Sequence, residues 1–347
     1  MEKTFGKSPT APRSVHQNRE VWSYNLHKEL EILNEYLPEF PIVAIDTEFP
    51  GIGLLKDNRI YFLSLAGKYF YARKLDDEPG FLRYTPKGVS EEEFYDCLRF
   101  NVNRLNILQL GLTLANQNGN VAMTWEFNFR DFDHISDMEG VSSLDSFLKN
   151  KGFDFYKLKR DGIALEDFTT LFLPICRSGR IERWITFHGF YDIAYLLKLL
   201  KIKYIPISMA TFAATAQHLL GTVSDLKHMC RYCDGLLDGD LGLKKLAKLL
   251  DVKRIGIAHF AGSDSLLTAA VYTKMKQMFK VPVEQREGFL YGLPHRIQAF
   301  QPIVKIVDPS AMTPPPPRLP TLCFGSFPPF FIDIHSSKLK GHSVTVS

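Results

Sequence analysis

The apolar positions of this 347-residue chain recur first at helical spacing, then in continuous or alternating runs, and later at helical spacing again. Leu26, Leu30, Leu33 and Leu37 predict an amphipathic helix over Val21–Leu37, which Pro38 ends. Ile42-Val43-Ala44-Ile45 then reads as a buried strand. Ile60–Tyr71 is aromatic and β-favouring with Gly67-Lys68 near its middle, which predicts a hairpin, and Asp76–Gly80 reads as a turn. A short helix is expected over Glu91–Asn101 and a strand over Leu105–Leu114. Asn118-Gly119 then turns the chain into a further strand at Ala122–Phe129. From Leu144 to Cys176 the pattern is helical, interrupted at Gly152 and Gly162, and Trp184–Phe187 is a short strand closed by His188-Gly189. Ile193, Leu196, Leu197 and Leu200 predict a helix over Tyr191–Leu200, several helical stretches fill Ala210–Leu250, and another covers Ser265–Phe279. Strands early, helices late and one strand between them describe a mixed α/β (α+β) single domain, with helices packed on a central sheet.

Composition narrows the setting more than the chemistry. A hydrophobic content of 45% supports a substantial core, and a net charge of +4 permits a polyanion partner without announcing one. Five sparse cysteines, Cys97, Cys176, Cys230, Cys233 and Cys323, fit a reducing compartment, cytoplasm or nucleus, better than a disulfide framework. Met1–Arg19 is polar with no apolar stretch of the secretory kind, and no run reaches the ~20 apolar residues of a membrane helix. No membrane partner is expected. The domain boundaries read as a flexible leader over 1–18, a folded domain over 19–282, and an irregular or disordered tail over 283–347. Residues 301–347 of that tail hold nine of the 20 prolines.

Candidate chemistry centres on acids at element ends. Asp46 and Glu48 close the Ile42–Ile45 strand at period two, so both point to one side. Two like charges there are costly to bury unless cations compensate them, so a divalent metal site and a solvated strand end stand as equal readings. Asp192 and Asp264 each lie near the start of a helix, where aspartate also serves as an N-cap. His259 precedes Asp264 by five residues across Ala261-Gly262-Ser263, taken as flexible, so an imidazole and a carboxylate can face one pocket. A lone histidine is otherwise a surface or satisfied core residue.

Five ordered blocks carry a resemblance. Asp46-Thr-Glu-Phe-Pro-Gly51, Asn101-Val-Asn-Arg-Leu-Asn-Ile-Leu-Gln-Leu-Gly-Leu-Thr-Leu114, Trp125-Glu-Phe-Asn-Phe129, Trp184-Ile-Thr-Phe-His-Gly-Phe-Tyr-Asp192 and Arg254-Ile-Gly-Ile-Ala-His-Phe-Ala-Gly-Ser-Asp-Ser-Leu-Leu-Thr268 are similar to the DEDD exonuclease superfamily, histidine subtype. Within it they resemble the Caf-one/Pop-two branch, the poly(A)-shortening deadenylases of the CCR-NOT complex. The resemblance implies an RNase H-like mixed central sheet flanked by helices. It also implies two divalent cations, Mg²⁺ or Mn²⁺, held by Asp46, Glu48 and Asp264, with Asp192 supporting the second ion and His259 as general base. Phe49, His188 and Phe260 are implied substrate contacts. The implied reaction is 3′ to 5′ hydrolysis of poly(A) RNA releasing 5′-AMP, the implied partners are the CCR-NOT scaffold and a second deadenylase subunit, and the implied location is cytoplasm and nucleus.

Other features stay secondary. Cys230-Arg-Tyr-Cys233 lacks a second ligand pair for zinc and reads as surface cysteines of a helix. Lys244, Lys245 and Lys248 read as a solvated face, with a phosphate contact as the rival reading. Phe187, Phe190 and Phe260 flank the acids and either stack on bases or pack the core. Residues 52–88 form an insertion relative to the family, roughly 25 residues longer than expected. That insertion motivates one alternative, a catalytically weak interaction subunit of the same complex; a DEDD exonuclease acting on other RNA or DNA ends is a separate alternative.

Overall fold

The structure, a computed structural model, describes residues 18–49, 90–132, 152–279 and 286–298 in full, and the backbone alone of the strands within 52–72. All of these belong to one compact unit, Met1–Phe300. The leader before Asn18, the turn at Asp76–Gly80, the stretch from Leu144 to Lys151 and the Pro-rich 301–347 lie outside the described residues.

Among the described residues, six strands make one mixed sheet: β1 (Asn18–Val21), β2 (Ile42–Glu48), β6 (Gln109–Ala115), β7 (Val121–Asn128), β8 (Arg183–Thr186) and β9 (Val223–Asp225), in the order β1-β7-β6-β2-β8-β9. β2 pairs antiparallel with β6 and parallel with β8, and β9 pairs parallel with β8. Three more strands, β3 (Ile52–Lys56), β4 (Arg59–Leu63) and β5 (Tyr69–Ala72), form a separate antiparallel sheet containing the expected β4–β5 hairpin.

Period two along β2 divides the core. Val43 and Ile45 join one apolar cluster with α1 (Leu26–Tyr36), α2 (Glu91–Arg104), α4 (Leu165–Arg177), α5 (Phe190–Leu199) and α6 (Met209–Leu220). Ile42 and Ala44 join a second cluster with α7 (Leu226–Cys230), α8 (Leu243–Leu249) and α9 (Ala261–Met278) on the opposite face. A further helix, α3 (Phe155–Asp161), is N-capped by Asp154, whose side chain accepts the amide of Lys157. α2 begins with a reciprocal capping box between Ser90 and Glu93.

Several sequence expectations are corrected here. β1 and β9 are departures from the pattern: among the described residues each is a short edge strand whose partner strand is remote in sequence. Ala261, Gly262 and Ser263 are the buried first turn of α9 rather than a flexible segment. Residues 286–298, expected in the irregular tail, are irregular but pack into the core through Leu290, Leu293 and Ile297. Cys230 and Cys233 are buried in the second cluster rather than on a surface, and burial pushes their thiols up to about 12 and about 11. Such thiols are core packing. Lys244, Lys245 and Lys248 are exposed along α8.

Candidate active site

The site lies where β2 outruns its parallel neighbour. Pairing of β2 with β8 ends at Ala44↔Ile185, whereas pairing with β6 continues through Asp46↔Gly111 to Glu48↔Gln109. The Thr47 amide, past the last β8 pair, donates instead to the Asp192 carboxylate at 2.9 Å, and the Thr47 hydroxyl donates to the same oxygen. Asp192 therefore reaches the strand end from the first turn of α5 and does not cap that helix, whose N-cap is Gly189.

Asp264 arrives from the other face. Its carboxylate accepts the His259 amide at 3.1 Å, ahead of the helix, and forms an ion pair with Arg254. Asp264 does not cap α9, whose N-cap is Phe260, and its bond to the His259 amide fixes His259 at φ 67°, a conformation that non-glycine residues adopt mainly under constraint. One ligand-type atom each from Glu48, His259 and Asp264 lies within 4.8 Å of the others.

Asp46 completes the group electrostatically. Burial, then the carboxylates of Asp192, Asp264 and Glu48, push its carboxyl well above the usual range, with Arg254 opposing. Burial likewise lifts Asp192 to about 7 against the two Thr47 donors. Four carboxylates and an imidazole brought together from β2, α5, α9 and the turn before α9 thus carry a charge demand that one arginine meets only in part. An oxygen-rich set of this kind suits Mg²⁺ or Mn²⁺ rather than a soft metal.

Close approach makes the convergence possible. A Cβ on Gly111, directly opposite Asp46, would stand 1.9 Å from the carbonyl oxygen of Ala261, so only glycine lets the first turn of α9 descend onto β6. Beside it the Gly262 amide donates to Glu126 at 3.0 Å, and Thr113 shares hydrogen bonds of 2.9 Å with both Thr124 and Ser265. A second organiser is Asp225, whose buried carboxylate accepts four amides, those of His188 (2.7 Å), Gly189 (3.1 Å), Lys227 (2.9 Å) and Tyr291 (3.0 Å). It fixes the turn that leads into Asp192.

Thr47, Gly111, Arg254 and Asp225 build the site as well, beyond the residues the sequence singles out. Thr47 sits between the two acids and was the most accessible signal; Gly111 and Asp225 act on residues remote in sequence. The expected substrate contacts are dispersed. Phe49 stacks on Tyr191 and Tyr195, with centroids 5.3 and 4.8 Å apart, and Phe260 stacks on Phe153 at 5.4 Å. The exposed His188 ring meets Tyr291 edge-on at 5.1 Å. Phe190 is core, packed against Tyr95 and Phe212, while Phe187 is half-buried at the edge of the second cluster.

Comparison with known proteins converges on one family. The family model described as CAF1 family ribonuclease matches residues 21–170. "Probable CCR4-associated factor 1 homolog 7" of Arabidopsis thaliana is 36% identical over 295 residues, covering 80% of this chain and 93% of that protein. The S. pombe Pop2p structure in its Mg²⁺ and Mn²⁺ bound form is 30% identical, with a TM-score of 0.64 over 79% of this chain and 99% of that one. CAF1 co-crystallised with the yeast NOT1 MIF4G domain is 25% identical, with a TM-score of 0.60 over 81% of this chain and 99% of that one.

Proposed function

Because this chain belongs to the CAF1 family of ribonucleases, we propose that it is a 3′ to 5′ exoribonuclease that shortens poly(A) tails and releases 5′-AMP. The observation that carries this reading is the convergence of Asp46, Glu48, Asp192 and Asp264 with His259 at the end of β2. Asp46, Glu48 and Asp264 hold two divalent cations, Mg²⁺ or Mn²⁺, and Asp192, oriented by Thr47, supports the second. A bound pair of such cations supplies an activated water and a stabilised leaving 3′-oxygen. His259 accepts the proton of the attacking water at an imidazole nitrogen, its backbone held in place by Asp264. Phe49, His188 and Phe260 contact the terminal nucleotides.

Partners follow from relatives: Pop2p was solved with Mg²⁺ and Mn²⁺, and yeast CAF1 with a NOT1 domain. We extend both to this chain, as a metal requirement and as assembly with a CCR-NOT scaffold and a second deadenylase subunit, in cytoplasm and nucleus. Among the described residues no helix is long and apolar enough to cross a membrane.

The test is shortening of a labelled oligo(A) RNA with Mg²⁺ or Mn²⁺. The wild type should yield a ladder of products one nucleotide apart. Asp46→Ala should slow it at least about a hundredfold, because metal stabilisation worth several kcal/mol is lost. No shortening by the wild type, or unchanged shortening by Asp46→Ala, sinks the reading. Comparable rates on DNA would instead favour an exonuclease of broader range, indifferent to the 2′-hydroxyl.

A further inference from the structure

Beside the turn that carries His188, a band of cations sits on aromatic faces and takes no part in the chemistry above. The Lys227 ammonium and the Arg231 guanidinium lie 4.7 and 4.5 Å from the centre of the Tyr291 ring. Arg286 lies 3.4 Å over Tyr232, and the His228 ring joins that pair to the rest, 5.5 Å from Tyr232 and stacked at 5.3 Å on Phe289. Arg231 and Tyr232 are exposed, and Lys227, Arg286 and Tyr291 are half-buried.

Two properties set this band apart from an ordinary solvated face. Among the described residues, Lys227, Arg231 and Arg286 lie within ion-pair distance of no carboxylate, so their charge is not neutralised by a side chain. Two buried acids of this region are committed elsewhere, Asp225 to four backbone amides and Glu287 to Arg183. Burial together with Arg231 and Arg286 holds His228 down at about 4, which agrees with a locally positive field. The band is also tied to the proposed site: Tyr291 touches His188, four residues before Asp192, and Asp225 binds the amides of Lys227 and Tyr291 along with those of His188 and Gly189.

We propose that Lys227, Arg231 and Arg286, interleaved with Tyr232 and Tyr291, form the track for the single-stranded RNA upstream of the 3′ terminus held in the acidic cluster. The track rests on the exoribonuclease reading. Its cations take phosphates, and its exposed Tyr232 offers a stacking surface that any base accepts. The net charge of +4 is too small to steer a polyanion globally, so the attraction needed beside four carboxylates has to be local, and this band supplies it. An acidic protein would need matching charge but no aromatic faces interleaved beside a terminus-processing site.

Binding in EDTA separates the track from the reaction, since it is read without turnover. Fluorescence anisotropy with a labelled oligo(A) 20-mer and 4-mer would compare the wild type with Arg231→Gln/Arg286→Gln. The control is Lys159→Gln, which removes a charge on the exposed side of α3. The double variant should weaken the 20-mer about tenfold and flatten its log affinity against log salt by about 1.4, two phosphate contacts at roughly 0.7 each. The 4-mer, which brings fewer phosphates to the band, should be affected far less, and Lys159→Gln should match the wild type. A melting temperature equal to the wild type's certifies the fold. Equal 20-mer affinity and salt slope in wild type and double variant overturn the track and leave the band as a protein-docking face. No shortening of oligo(A) by the wild type, with the salt slope still flattened in the double variant, would fault the exoribonuclease reading and leave the track as a binding surface.

Discussion

On one face of β2, β6 and β7, Val43, Ile45, Leu110, Leu112, Trp125 and Phe127 are buried among the aliphatic and aromatic side chains of α1, α4 and α5. On the other face the same strands offer Asp46, Glu48, Gln109, Gly111, Thr113, Thr124 and Glu126 to the first turns of α9. Each helix delivers one aspartate to the end of β2, but the two are positioned by different physics. Area burial holds α5, and such packing adjusts when one side chain changes. Backbone close approach and directional hydrogen bonds hold the first turn of α9, and these have one solution or none. The face that carries most of the proposed ligands is the one with less freedom.

The sharpest way to break this contrast is to change one atom group on each face. Gly111→Ala places a methyl where the Ala261 carbonyl stands and must lift α9 from the sheet, carrying Asp264 and His259 away from Asp46 and Glu48. It should cost about 3 kcal/mol or more in stability and abolish both ribonuclease activity and thermal stabilisation by added Mn²⁺. Ile193→Ala on α5 removes a fully buried side chain and should cost a similar 2–4 kcal/mol. Its folded fraction should nevertheless keep a Mn²⁺-dependent rise in melting temperature. Equal loss of the metal response in both variants would erase the distinction between the faces.

Legibility in the sequence follows the same division. Ile193, Leu196 and Leu197 announce α5 by period, and Leu266, Leu267, Val271 and Met275 announce the body of α9. The first turn of α9 does not announce itself, because Ala261-Gly262-Ser263 has the composition of a loop and is helical only where Glu126 and Gln109 meet its amides. β9 was absorbed into a helical stretch because three residues leave no period to read. The acids were visible as residue types at strand and helix ends. Their supports were not, since Thr47 and Asp192 are 145 residues apart and nothing local to either marks the bond.

A finer probe stays on β2. Thr47→Val keeps the side-chain shape and the backbone amide but removes the hydroxyl that donates to Asp192. The carboxylate then loses a donor that favours its ionised form, so its proton should be held more tightly. The concentration of Mn²⁺ needed for half-maximal activity should rise about tenfold at neutral pH, with the rate at saturating metal largely restored. A variant that stays slow at every metal concentration would give Thr47 a role beyond orienting Asp192.

The smallest effect concerns what holds α9 when no metal is bound. Glu126 accepts the Gly262 amide, and burial raises its carboxyl from 4.5 to about 7. The folded state thus keeps this proton more tightly than the unfolded chain, so its contribution is full below about 4.5, falls as pH rises toward 7, and levels off above. In EDTA the protein should become less stable between pH 5 and 8. Asp46 and Asp192 act in the same direction, because their carboxyls are raised too. Glu126→Gln keeps an acceptor for Gly262 and has no charge to bury, so urea melts across that range should show a decline shallower by on the order of 1–3 kcal/mol. An unchanged slope would mean that Glu126 ionises in the folded protein as readily as in the unfolded chain. The polar face would then hold α9 without the pH sensitivity that its burial requires.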